Sequence, residues 1–110
     1  MINKKRGYKM VKHIVMWQVA EHEVHGTKEE VMHKIKEQLE GLKGQIEGLL
    51  EIEVGLNFNA SPAAYDVVLY SEFVDASALD YYQAHEKHLA VANQLVRQVA
   101  TSRAVVDYTI

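Results

Sequence analysis

The chain has 110 residues, 48% hydrophobic and 25% charged, a balance that gives one globular domain rather than a disordered chain. Its net charge of −3 gives no electrostatic case for nucleic acid, and the lack of cysteine excludes disulfides, thiolate catalysis and thiolate metal sites. No apolar run approaches the roughly 18 residues of a membrane span, so neither membrane nor nucleic acid is an expected partner.

Residues 1–9 include Lys4, Lys5, Arg6 and Lys9, and no apolar stretch of signal-peptide type follows before Lys12. They read as a flexible basic extension ahead of a domain over residues 10–110, and the protein as cytoplasmic. The first strand is expected over about Val11–Val19, with Val11, His13, Val15, Trp17 and Val19 on one face and Ile14 and Met16 on the other. Thr27 and Glu30 have the spacing of a capping box. Val31, Ile35, Leu39, Leu42 and Ile46 then mark a helix face, with a helix end near Gly44.

Strand two, Leu49–Phe58, alternates Leu50, Ile52, Val54, Leu56 and Phe58 against Glu51, Glu53 and Asn57, which favours antiparallel pairing. A loop over Asn57–Ala64 holds the single proline, Pro62. Strand three, Tyr65–Phe73, puts Tyr65, Val67, Leu69 and Phe73 on one face, with Val68 and Tyr70 on the other. Asp75 is placed to cap a helix whose stripe runs Leu79, Tyr82, His85, Leu89, Ala92, Val96 and Val99. Arg103–Ile110 is the last strand.

This βαββαβ order gives a ferredoxin-like α+β domain: a four-stranded antiparallel sheet with both helices on one face. The opposite face carries Ile14, Met16, Val68 and Tyr70, an apolar patch larger than monomers usually expose. A second copy packed sheet to sheet would cover it, so the expected partner is the chain itself.

The chemistry-bearing residues are few. His13 sits among valines and a tryptophan, either as a satisfied core histidine or as a pocket acid–base group. His85 and His88 are three apart and would be neighbours on a continuous helix. His85-Glu-Lys-His88 is not the zinc motif, whose histidines are four apart, and no metal site is expected. Tyr82 shares the helix stripe, so its hydroxyl needs a partner. Asp107 could orient a histidine or pair with Arg103 on the same strand face. His22, His25 and His33 read as solvated surface, and Tyr81 as off-stripe. There is no Gly-rich phosphate loop and no activated-serine signature, so neither nucleotide binding nor acyl-enzyme chemistry is expected, and no cofactor is assigned.

Lys12-His13, Ile52-Glu-Val-Gly55, Tyr65-Asp66 through Ser71-Glu-Phe73, Tyr82 through His85 and His88, and Val105-Val-Asp-Tyr108 occur in an order that resembles the dimeric α/β-barrel (Dabb) family, the stress-responsive A/B barrel domain. The resemblance runs from Met10 to Tyr108. It implies a homodimer whose two sheets form a shared barrel, with a cleft between sheet and helices in each subunit. In a plant polyketide cyclase of this family, acid–base work falls to positions matching His88 and Tyr82, and a pocket histidine matches His13. A further pocket histidine of the cyclase aligns with Val67, and the proline common after the first histidine is Glu86 here, so the helix need not break at His85.

On this basis His88 and Tyr82 are the candidate acid–base pair. His13, Val15, Trp17, Val67, Leu69 and His85 are the candidate ligand-binding residues. Three functions remain open. The first is a stress-type module of unassigned activity binding a small, mostly apolar or aromatic ligand. The second is a cofactor-free, cyclase-like or carbonyl-directed acid–base enzyme, and the third a structural or partner-binding dimer with a filled core. A related barrel group, the small monooxygenases acting on aromatic substrates or haem, shares the sheet-stacked dimer. A void of several hundred cubic ångströms bordered by His13 and His88 would favour a ligand.

Overall fold

The alternation of the first strand is carried through without a fault. In a computed structural model describing residues 9–110, β1 (Val11–Val19) buries every odd-numbered side chain and leaves each even-numbered one half-buried. It lies inside a four-stranded antiparallel sheet with β2 (Leu49–Leu56), β3 (Val67–Phe73) and β4 (Ala100–Thr109), in the spatial order β2-β3-β1-β4. This is the expected ferredoxin-like α+β fold. The basic extension, save Lys9, lies outside the described residues.

The helices pack on the odd face of β1. In α1 (Lys28–Glu40), Thr27 accepts a hydrogen bond from the Glu30 amide while the Glu30 carboxylate accepts one from the Thr27 amide, the reciprocal cap that the sequence announces. The helix stops at Glu40 with Gly41 as cap, earlier than the expected end near Gly44. Leu42 and Ile46 stay buried, but from the turns that follow. Gly48, at φ +89°, lies where a Cβ would stand 2.6 Å from that of Ala78, so only glycine lets the chain enter β2 here.

One pair of α1 side chains does unusual duty on the sheet. β2 is an edge strand, and the Val54 amide and carbonyl are met by side chains of α1. Glu40 accepts from the Val54 N–H at 2.9 Å, and the Lys36 ammonium donates to the Val54 carbonyl at 2.7 Å and to Glu40 at 2.8 Å. Burial alone would raise the Glu40 carboxyl, but these two donors hold it below its ordinary value.

Four expectations shift. The strict alternation over Leu49–Phe58 is broken by a bulge: Leu49 faces Phe73 and Glu51 faces Glu72, so Leu50 is turned outward. Phe58 lies past the strand end and is fully exposed. β3 begins at Val67 rather than Tyr65, because Asp66 spends its amide on the Trp17 carbonyl and a carboxylate oxygen on the Val19 amide. β4 starts at Ala100 rather than Arg103.

The second helix is the largest departure. Asp75 caps α2 (Ala76–Ala84) as expected, accepting from the Ala78 amide at 2.9 Å. The helix then breaks at His85, whose backbone is extended (φ −71°, ψ 137°). The His85 ring accepts from the Lys87 amide and so caps α3 (Glu86–Val91), which makes the break stable without a proline. A π-helical stretch, Ala92–Val96, leads into a last turn, α4 (Arg97–Val99). Break and π-turn together rephase the buried stripe: Val91, Leu95, Val96 and Val99 are buried, while His85, Leu89 and Ala92 are only half-buried.

The sheet face away from the helices carries Ile14, Met16, Val68 and Tyr70, all half-buried within the single chain. Val106 and Tyr108 of β4 extend it and are exposed. Tyr70 donates its hydroxyl to Glu72, and the Lys12 ammonium lies 5.5 Å from the Tyr70 ring centre. No helix among the described residues is long and apolar enough to cross a membrane.

Candidate functional site

β1 projects His13, Val15 and Trp17 from its odd face toward the helices, and β3 brings Leu69 alongside them. Leu39 of α1 closes one side. The segment from Gln83 to Arg97 crosses above, contributing His88, Ala92 and Val96, and Ala100 and Arg103 of β4 complete the rim. These side chains enclose a cavity of about 140 Å³. It is smaller than the expected several hundred cubic ångströms, because Phe73 and Tyr82, fully buried and 5.0 Å apart, fill the adjoining space beside His13.

Each histidine commits one nitrogen to the protein. His13, 3% exposed, sets Nδ1 2.5 Å from Asp107 Oδ1 across the β1–β4 register. A carboxylate there places the neutral ring's proton on Nδ1 and leaves Nε2 as an acceptor. Of the two roles open to Asp107, the structure selects orienting the histidine. The strand carrying His13 is pinned from the other side, where the buried Ser71 hydroxyl donates to the His13 carbonyl at 3.0 Å. His88 donates from Nδ1 to the Gln83 carbonyl at 3.3 Å, again leaving Nε2.

Tyr82 stands between the two. Its ring centre is 4.4 Å from that of His88 and 6.4 Å from that of His13. Its hydroxyl is buried with no hydrogen-bond partner, and burial pushes its pKa far above the ordinary phenol range. Such a group keeps its proton, so Tyr82 can donate a hydrogen bond or wedge the rings but is a poor acid.

Burial lowers the His88 pKa. His13, Arg97 and Arg103 push it the same way, against the bond to the Gln83 carbonyl. A histidine held neutral by the fold contributes stability in full above its unfolded value of 6.5. As pH falls from there through the lowered folded value, the unfolded chain binds the proton first and that contribution is lost. Urea midpoints at pH 7.5 and pH 5 are therefore expected to drop less toward acid in His88→Gln than in the unmodified chain. An equal drop would place His88 in solvent.

Two of the expected ligand-binding residues lie elsewhere. Val67, at the start of β3, borders an open apolar hollow of about 370 Å³ with Met16 and Leu56, displaced from the cavity by its position along the strand. His85 sits at the helix break, its ring edge-on to Tyr81 at 5.5 Å and its Nδ1 used as a cap. The extended backbone at His85 separates it from His88. The cavity-bordering residues that sequence reasoning did not name as site residues are Leu39, Gln83, Ala92, Val96, Arg97, Ala100 and Arg103. Leu39 was already on the buried stripe of α1 and Arg103 on the Asp107 face, but nothing local marks Arg97. His22 and His25 stack on each other at 4.7 Å in the turn before α1. Among the described residues, no three His, Asp or Glu side chains group closely enough to hold a metal ion.

Residues 11–110 match the family model described as Stress responsive A/B Barrel Domain. A dimeric protein of unknown function with a ferredoxin-like fold from Bacteroides fragilis is 36% identical, with a TM-score of 0.77 over 92% of this chain and 96% of that one. A dimeric ferredoxin-like protein of unknown function from a Jannaschia species is 27% identical, with a TM-score of 0.71 over 92% and 99%. A hydroxynitrile lyase from Passiflora edulis shares the fold at 15% identity, with a TM-score of 0.75 over 94% of both chains. No curated protein matches.

Proposed function

Since the chain belongs to the stress-responsive A/B barrel domain family, we propose that it acts as a homodimer in which each subunit holds one small, mostly apolar ligand between its sheet and helices. The observation that carries this reading is the cavity itself. Val15, Trp17 and Leu69 form apolar walls, and the imidazoles of His13 and His88 border the same space. A volume of about 140 Å³ is close to that of dry cavities that take benzene, and below the roughly 300 Å³ at which drug-sized sites begin. The ligand is thus a single ring or a short branched chain, too small for an extended polyketide. The dimer is supported by the 36% identical Bacteroides fragilis protein, which is described as dimeric, and by the uncovered apolar sheet face. The cytoplasmic location belongs to the same proposal.

Trp17 is the only tryptophan and lines the cavity, so its fluorescence reports occupancy directly. Benzyl alcohol is expected to change Trp17 emission saturably and to raise the melting temperature. Ala92→Phe, which puts a ring into the cavity, is expected to abolish both effects. No saturable change in the unmodified chain would leave the structural-dimer reading in its place.

The His13–Asp107 pair favours a second reading, an acid–base enzyme. A carboxylate fixing the proton on Nδ1 is the arrangement that readies Nε2 as a general base. In this reading His13 is the stronger candidate base, His88 is the second proton carrier, and Tyr82 positions them.

A further inference from the structure

Two of the side chains that border the cavity carry permanent positive charge, and none that borders it is a carboxylate. In a chain of net charge −3 this is a local reversal of sign. Arg103 projects from β4 opposite Trp17, on the strand face shared with Asp107. Asp107 is occupied by His13, and neither arginine has a carboxylate partner among the described residues.

Arg97 comes from the other side of the rim. Its position depends on the π-turn, in which the Arg97 amide donates back to the Ala92 carbonyl, five residues earlier. Single π-turns recur at functional sites because the extra residue re-aims the side chains that follow. Here the re-aimed residues, Val96 and Arg97, both border the cavity. The Arg97 guanidinium also donates to the Asn93 side chain, which restricts its swing.

We propose that the ligand is a small organic anion, an aromatic or branched carboxylate. Its apolar body would lie against Val15, Trp17 and Leu69, and its carboxylate would be taken at the rim by Arg97 and Arg103. This rests on the ligand-binding reading above and names the chemistry of that ligand. Guanidinium forks match carboxylates in geometry, and the bonds are charge-assisted. The low-dielectric wall behind them strengthens the attraction relative to open surface. An anion at the rim would also offset the like-charge crowding that the two arginines impose on His88.

Benzoate and benzamide separate this inference from the reading it rests on, because they share size and ring but differ in charge. Titrated against Trp17 fluorescence at pH 7.5 and low salt, benzoate is expected to bind at least about tenfold tighter than benzamide. That preference is expected to shrink as salt is raised. The double variant Arg97→Gln/Arg103→Gln is expected to erase it, bringing benzoate down to the affinity that the same variant shows for benzamide. Arg97→Lys/Arg103→Lys, which keeps the charge but loses the fork, is expected to fall between. Both arginines are exposed, so these variants leave the core intact. Equal binding of benzoate and benzamide would overturn the anion inference and leave the cavity reading standing. A benzoate preference that survives the double glutamine variant would also overturn it. Binding of neither compound would remove both.

Discussion

Val68→Asp is expected to leave the protein monomeric or insoluble, with light scattering after size exclusion giving about 12.5 kDa in place of twice that mass. Val68 pairs with Met16 across β1 and β3, and with Tyr70 and Ile14 it forms the middle of the face away from the helices. In the proposed dimer that face is covered by its own symmetry mate, so one substitution places a carboxylate on both sides of the interface. Each uncompensated buried charge costs several kcal/mol, and the two add to a large fraction of the free energy holding an ordinary dimer together. Tyr70→Asp is expected to act in the same direction. A folded monomer of the unmodified chain at micromolar concentration would refute the dimer.

Tyr82 offers the second large effect, and with it a change of sign. Tyr82→Ala removes a fully buried ring that touches Phe73, His13 and His88, and is expected to cost about 3–5 kcal/mol in urea unfolding at fixed protein concentration. Tyr82→Phe keeps the ring and removes only a hydroxyl that is buried without a partner. Leaving such a group unsatisfied costs about 1–3 kcal/mol, so the phenylalanine variant is expected to be as stable as the parent or more so. Lower stability in Tyr82→Phe would show that the hydroxyl has found a bond. Reduced ligand binding in a more stable Tyr82→Phe would instead assign the hydroxyl to the ligand.

What the sequence could show was governed by how local the cause is. The period-two pattern of β1 and the reciprocal cap at Thr27 and Glu30 depend on residues a few positions apart, and both stand where they were expected. The break at His85 was hidden because neither glycine nor proline marks it, and a histidine ring acting as a cap is not a usual signal. The bulge at the start of β2 hides inside a perfect alternation, since it arises from how Phe73 and Glu72 pair with it rather than from its own residues. In the candidate site, strand parity pointed to His13, Val15 and Trp17 and the family motif to His13 and His88, and all four border the cavity. Asp107 reaches His13 across 94 residues, and sequence reasoning held it only as one of two options. Arg97 depends on a π-turn that no periodicity announces.

The Lys36–Glu40 clasp on Val54 bears on how the chain behaves in a crowded cell. The outer strand of an open sheet is a standing template for uncontrolled strand addition, the first step toward swapped or fibrous assemblies. Here Val54, the sixth of the eight residues of β2, is already answered by two side chains of the preceding helix, in charge-assisted bonds that an incoming backbone would have to displace. The clasp guards the β2 edge and leaves the broad face away from the helices free for the proposed pairing. On the β2 side, the surface of the proposed dimer and the edge that would seed permanent assemblies are thereby kept apart.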